Sequence, residues 1–420
     1  MYSSARKNYT FIKYRKLLVV SVVIGFLSAL LAISLKRMTE QYQEMFFHQA
    51  QHNWIYFILF PFFGMSLIYL LRQYLFKNKE NKGIKEVLHS IMGKKTLPSY
   101  KIPSHFINGL ITVSFGGSTG IEVSTVVSTA AIGTLAHEKE TFFRKYKTEL
   151  ICAGITAGVT ALFGSPFAGL LFAYEVISKK VSRTFLVTNI IAAAVAMAFV
   201  ILIKEKPLFA INITQWHVHA MPYFVLLGIL AGLHSVYLTR CVIFFKKQFS
   251  KFTNQYYRII AGAAIISTLV LILPQLYGDG YHSVKENILT ANTVQLTLSF
   301  GLMLIGILVL KPIITSVTLA AGGDGGVFGP SIFLGAFLGL ATAVVLNTFF
   351  NAGVIPINFM VIGMAAMLSA TIHAPFTALF LICGLINDYT LFFPVLVVCL
   401  ISKFIAKALY PYNVYTYSIK

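Results

Sequence analysis

The chain has 420 residues, of which 57% are hydrophobic and 11% charged, with a mean hydropathy of +0.76. Soluble globular proteins carry about 25% charged residues, so the composition excludes a water-soluble domain and indicates an all-α polytopic membrane protein. The net charge of +20 does not indicate a nucleic-acid partner, because the bases gather beside apolar runs.

Arg6, Lys7, Lys13, Arg15 and Lys16 precede the first apolar run, 17–35. No small-residue cleavage site follows it, so it reads as a retained membrane helix and not as a signal peptide. A second run, 54–71, is also long enough for a hydrocarbon core of about 30 Å. The segment between them, 36–53, holds two bases and two acids, whereas Arg72, Lys77, Lys79, Lys82, Lys85, Lys94, Lys95 and Lys101 follow the second run. This asymmetry predicts a cytoplasmic N-terminus and a cytoplasmic 72–101 segment in a multi-pass protein of the plasma or inner membrane.

From 105 to 410 apolar residues dominate, yet the runs at 105–115, 121–136 and 281–290 are too short to span. Broken helices are tolerated at membrane depth where they are buried in protein or line a water-filled cavity. In transporters built from repeats they mark binding sites. A repeat is visible here: GITAGVTALFGSPFAGLLF at 154–172 resembles GMAAMLSATIHAPFTALFL at 363–381, at an offset of 209 residues. GGSTGIEV at 116–123 resembles GGDGGVFG at 322–329, at an offset of 206. The chain divides accordingly into a basic N-terminus with the first membrane helices (1–80), a first repeat (81–205), a linker (206–217) and a second repeat (218–420). Cys152, Cys241, Cys383 and Cys399 are scattered in apolar stretches and form neither a metal pattern nor a disulfide framework. No metal site and no cofactor are expected.

The two glycine-rich turns each precede a helix-like run. Glycine lets the chain turn tightly and lets a ligand approach main-chain N–H groups. A helix N-terminus offers unpaired N–H donors and a partial positive charge. Two such termini meeting from two repeats make an anion site without a full positive charge. No Gly-Lys-Ser/Thr ending is present, which excludes a P-loop. Ser118 in GGSTG and Ser165 in GSP raise an intramembrane serine hydrolase as a rival, but no recognisable motif pairs either with a histidine. The chain is not read as an enzyme.

Several ordered motifs resemble the CLC chloride channel and transporter family. GGDGGVFGPSIFLGA, with Lys311-Pro312 before it, resembles that family's Gly-x-Phe-x-Pro segment at Gly326, Phe328 and Pro330. GSPFAGLLFAYEV at 164–176 resembles its proline-alanine-glycine helix ending in Glu, and GMAAMLSATIHAPFTALF resembles the equivalent helix of the second half. NKGIKEV at 81–87 resembles its Gly-Ser-Gly-Ile-Pro-Glu turn. The resemblance covers about 20–417 and implies two inverted repeats with re-entrant helices, in a homodimer with one chloride pathway per subunit. It further implies an anion site formed by Ser118, Thr119, Gly120 and Ile121 of the first turn and Val327, Phe328 and Gly329 of the second. The hydroxyl of Tyr415 completes it.

Three departures from the family pattern bear on mechanism. The outer turn of the family reads Gly-Arg-Glu-Gly-Pro, with the glutamate as gate and proton acceptor. Aligned on Gly117, this chain places Thr119 at the glutamate. Proton-coupled members place a second glutamate where this chain has Val176, after Glu175. Lys82 stands where a serine lines the inner anion site; it either holds anions or belongs to the basic loop. These departures favour passive chloride flow, with a proton-coupled chloride or fluoride antiporter as the alternative. In that alternative Glu122 is a displaced gate. Thr119-Gly120-Ile121-Glu122 also fits an S/T-x-x-E capping box, which would make the glutamate structural. Glu175 is expected to be a hydrogen-bonded structural acid, Asp324 to point away from the anion path, Asp388 to sit at a helix end, and His373 to be a core histidine.

Overall fold

The computed structural model describes the backbone of residues 2–417 except 78, 80, 94, 95, 140, 210 and 212. Lys94, Lys95 and the side chains of Arg6 and Lys7 therefore lie outside the described residues. All regular structure among the described residues is helical. Before the 203–217 link come α1 (Tyr2–His52), α2 (Ile55–Leu70), α3 (Ile84–Ile91), α4 (Lys101–Ser114), α5 (Glu122–Lys139), α6 (Lys147–Phe163), α7 (Pro166–Phe172) and α8 (Arg183–Leu202). After it come α9 (Met221–Phe249), α10 (Gln255–Ile272), α11 (Tyr281–Thr290), α12 (Leu298–Ala321), α13 (Phe328–Phe350), α14 (Pro356–Ile372), α15 (Pro375–Ile386) and α16 (Phe392–Leu409). Eight of the helices among the described residues are long and apolar enough to cross a membrane. α3, α7 and α11 are far too short.

The two sets of eight repeat one another in packing as well as in order. α1 packs on α4, α6 and α8, and α9 packs on α12, α14 and α16 in the same way. The helical pair α1–α2 thus has a counterpart in α9–α10. Local sequence explains where the breaks fall. α6 ends at Gly164 (φ 63°) and α14 at His373 (φ 57°), both in the left-handed region that stops a helix. A proline then restarts the chain as α7 (Pro166) and α15 (Pro375), at the one helical position where its missing N–H costs nothing. His373 is therefore a helix terminator, not a fully buried core histidine. Side-chain caps begin other helices: Ser182 accepts from the N–H of Phe185 for α8, and Thr297 from that of Phe300 for α12.

Apolar burial offers little driving force between helices in lipid, so close backbone packing carries more of the association. α13 lies against α14 where a Cβ on Gly363 would stand 2.2 Å from the carbonyl oxygen of Gly335. On the outside of this core, Glu205 in the link pairs with Lys36 at 3.1 Å and Arg37 at 2.7 Å, tying the link to α1. Burial raises the pKa of Glu205, but Lys36 and Arg37 outweigh that and hold it below the ordinary carboxylate range.

Gly363→Ala is expected to force α13 and α14 apart and to cost about 1–3 kcal/mol, as overpacking does, read as a lower midpoint in thermal unfolding of detergent-purified protein. Because the pKa of Glu205 is depressed on folding, its contribution is present above the unfolded value and is lost as pH falls through the folded one. Glu205→Gln should therefore lower the midpoint at pH 7 and leave a smaller difference from wild type below about pH 4.

Candidate functional site

The two glycine turns interlock. Gly120 N–H donates to the Gly326 carbonyl at 3.0 Å, and Gly326 N–H donates back to Gly120 at 3.1 Å. The surrounding bonds repeat at the same 206-residue offset. Gly117 donates to the Thr112 carbonyl (2.8 Å) as Gly323 does to that of Thr318 (2.9 Å). Asp324 N–H donates to Thr112 Oγ1 (2.9 Å) as Ser118 N–H does to Thr318 Oγ1 (3.2 Å). Equivalent residues that exchange the same bonds in both directions are related by a local two-fold axis, which is the relation between inverted repeats.

This pairing fixes the register of the two turns against each other. Gly120 stands opposite Gly326, and at the same 206-residue offset Glu122 is the counterpart of Phe328 and Thr119 that of Gly325. It is the register at which GGSTGIEV and GGDGGVFG align in the sequence. The alignment of Thr119 on the family's glutamate turn does not follow this register.

The capping-box expectation fails with it. α5 starts at Glu122 itself, so a box beginning at Thr119 is out of step. Thr119 N–H is taken by Gly117 O (3.0 Å), and its hydroxyl donates to Asp324 O (3.0 Å). Ser118 uses its N–H on Thr318, and its hydroxyl pairs with Thr315 Oγ1 (3.0 Å). Thus Ser118, Thr119 and Gly120, three of the residues named for anion binding, are occupied in holding the turns together. Neither Ser118 nor Ser165 faces a base: Ser165 donates to Phe380 O and caps α7.

The donors left over lie one step further on, at the first turns of α5 and α13, where backbone N–H groups have no intrahelical acceptor. Ile121, Val327, Phe328 and Gly329 belong to this set. The Glu122 carboxylate sits over it. Tyr281 Oη donates to its Oε1 at 2.7 Å, the N–H groups of Glu122 and Gly329 point at it, and its Oε2 is buried without a hydrogen-bond partner among the described residues. The fit is close: a Cβ at Gly120 would be 1.9 Å from Oε2 and 2.7 Å from Gly329 N. Tyr281 was not legible as a site residue, because nothing in the sequence of α11 ties it to the first turn. Tyr415 is 6% exposed and its hydroxyl has no partner among the described residues. It is held by Asn413, which accepts from Tyr415 N–H (3.0 Å) and donates to the Ile372 carbonyl (2.8 Å) at the end of α14.

A cavity of about 470 Å³ adjoins this point, with Val123 and the buried Gly326, Val327 and Tyr415 in its lining. Arg72, Lys82, Lys85, Lys246 and Arg258 line it, against a single acid, Asp324. Clefts lined by one sign of charge concentrate counter-ions. Lys82 is exposed at the mouth, and its backbone N–H donates to Glu86. Burial pushes the Lys85 ammonium down to about 8, and the neighbouring charges of Lys246 and Lys82 add to this. The Asp324 carboxylate is held at the α4 side of the cavity by Gly325 N–H (2.8 Å), Asn81 (2.6 Å) and His105 (3.0 Å). Glu86 continues the cluster through Lys101 at 2.7 Å. Glu175 accepts from both the N–H and the hydroxyl of Thr377 at 2.7 Å and so caps α15 of the other repeat. Asp388 accepts from Thr390 N–H just after α15. Val176 lies buried beside Glu175 in a π-turn, Ala173–Ser178.

A buried carboxylate over paired helix N-termini, approached by a basic cavity inside a two-fold helical repeat, defines a membrane transport protein for anions. The family described as voltage gated chloride channel matches residues 63–407, and the chain belongs to it. A putative chloride channel protein ClcB-like of Ralstonia nicotianae is 27% identical, covering 84% of this chain and 82% of the relative. The voltage-gated ClC-type chloride channel ClcB of Escherichia coli is 28% identical over 73% of this chain and 72% of its own length. Among solved structures, a slow cyanobacterial Cl⁻/H⁺ antiporter superposes with a TM-score of 0.82 at 21% identity, covering 95% and 96% of the two chains. A CLC-type fluoride/proton antiporter gives 0.78 at 24% identity, with coverage of 96% and 97%.

Raising pH from 7 to 9 takes Lys85 through its titration and should weaken halide entry from the cavity side. Chloride flux into proteoliposomes should fall over that range in wild type and less in Lys85→Arg, which keeps its charge.

Proposed function

We propose that the chain carries chloride, or an anion of similar size, through the point where α5 and α13 meet, and that Glu122 is the gate that yields to the anion and exchanges a proton as it does so. The observation that carries this reading is the position of the Glu122 carboxylate. It occupies donors that an anion would otherwise occupy, beside a cavity lined with cations. An ionised carboxylate at that depth is costly and in membrane proteins marks function. When the carboxylate leaves, Ile121, Val327, Phe328 and Gly329 supply N–H groups and Tyr415 its free hydroxyl. Conduction needs a site strong enough to enter and weak enough to leave, which dipolar donors meet better than a buried lysine would. Lys82, at the mouth, attracts anions without holding them at the narrow point. Chloride is the bound substrate; no other cofactor enters this reading.

The protein is further proposed to work as a homodimer with one pathway per subunit in the plasma or inner membrane. The 72–101 segment and the basic cavity face the cytoplasm, as the distribution of Lys and Arg supports. Val176 favours a second reading, passive conduction, because an apolar residue there offers no station for a proton arriving from the cytoplasmic side.

Flux from liposomes separates the two. With an outward chloride gradient and a potassium shunt, coupled exchange predicts chloride efflux together with proton uptake. Efflux with no proton movement would select passive conduction. Glu122→Gln is expected to keep chloride flux, abolish proton movement and flatten the pH dependence. A variant identical to wild type in all three would remove Glu122 as the gate.

A further inference from the structure

At the end of α1 remote from the basic cavity, Glu44 and His48 lie one turn apart and face His282, the second residue of α11. One ligand atom from each of the three falls within 4.8 Å of the others. The two imidazoles meet edge to face with ring centroids 5.9 Å apart, and the Phe47 ring packs against His282 at 5.2 Å. His282 Nδ1 is buried with no hydrogen-bond partner among the described residues and lies 3.6 Å from Glu286 Oε2. None of these two imidazoles and two carboxylates lines the basic cavity. The cluster is some 30 residues along α1 from Arg15, about 45 Å at a helical rise of 1.5 Å per residue, and so sits at the other end of that helix.

We propose that Glu44, His48 and His282 form a binding site for a borderline divalent cation of the Zn²⁺ class, with Glu286 or water as the fourth ligand. Two imidazole nitrogens and a carboxylate oxygen match the ligand set of open tetrahedral zinc sites, with bonds of about 2.0–2.2 Å. Mg²⁺ and Ca²⁺ prefer all-oxygen shells, so the site discriminates against the common hard cations. The side chains of Glu44 and His48 are largely exposed and have the rotamer freedom to draw the donors together. Phe47 fixes the ring of His282.

The site is wired to the transport path. Gln43, next to Glu44, donates to Asp279 Oδ1 at 3.0 Å, and the same oxygen accepts from Tyr281 N–H at 2.9 Å. Tyr281, next to His282, holds the Glu122 carboxylate through its hydroxyl. A metal that clamps α1 to α11 therefore holds Tyr281 against Glu122 and slows transport. This regulatory half rests on Glu122 being the gate; the binding half does not.

Calorimetric titration of tag-free, detergent-purified protein with ZnCl₂ at pH 7.5, against MgCl₂, tests the site directly. One Zn²⁺ per chain is expected, with no heat from Mg²⁺. His48→Gln and His282→Gln should each weaken binding roughly tenfold or more, as loss of a ligand must exceed the usual 10–100-fold cost of disturbing an outer partner. His219→Gln, in the separate stacked pair His217–His219, should leave binding unchanged. Zn²⁺ affinity unaltered in the His48 and His282 variants, or absent in wild type, overturns the site. In proteoliposomes Zn²⁺ should slow wild-type anion flux and leave the His48→Gln/His282→Gln double variant unaffected, with equal metal-free flux showing that both fold. Unchanged flux in metal-saturated wild type overturns the coupling to Tyr281 while the calorimetry still decides the site.

Discussion

Two backbone hydrogen bonds between Gly120 and Gly326 set the geometry on which the pathway depends. They bring two chain segments, each the end of a broken helix, to a contact that only residues without a side chain allow. A Cβ on Gly326 would stand 2.2 Å from Val123 Cγ2, and one on Gly120 would meet the Glu122 carboxylate. The polar residues before each glycine are used in securing the contact. The N–H groups after each glycine, which begin α5 and α13, are left without helical acceptors. The proposed anion site is thus the remainder of a packing solution, and its positive character would come from dipoles without a buried cation.

The same constraint underlies the proposed competition between a carboxylate and an anion there. Glu122 is the first residue of α5, so its side chain curls over the donors of both helices, and Tyr281 steadies it from α11. Around this point the other acids are committed to structure. Glu175 caps α15, and Asp324 is bound by Asn81, His105 and Gly325. Cations line the approach but not the narrow point itself. On the proposed function this arrangement separates attraction, handled by the cavity, from coordination, handled by dipoles.

Much of this was legible in the sequence. Hydropathy and charge indicated a polytopic membrane protein, internal similarity indicated two halves, and the glycine turns with the apolar runs after them marked two helix N-termini, which the structure brings together. On the first turn two sequence signals disagreed: the family resemblance was aligned on Gly117-Ser118-Thr119, whereas the 206-residue offset pairs Gly120-Ile121-Glu122 with Gly326-Val327-Phe328. The contact between Gly120 and Gly326 follows the offset. Tyr281 escaped for a related reason: its partner is 159 residues away, and α11 carries no pattern that announces it. The Glu44–His48 pair is visible as an i, i+4 spacing on a helix, but its third ligand comes from the other half of the chain. Val176 is buried beside Glu175, an apolar side chain in both the sequence and the structure.

The central claim is that Glu122 occupies the place of the transported anion. Anomalous diffraction from crystals of Glu122→Gln grown in bromide locates that anion directly. A bromide peak in contact with the N–H groups of Val327, Phe328 and Gly329 and with the Tyr415 hydroxyl, stronger than in wild type, is the expected result. Bromide confined to the basic cavity in both proteins, with none at the junction of α5 and α13, would contradict it.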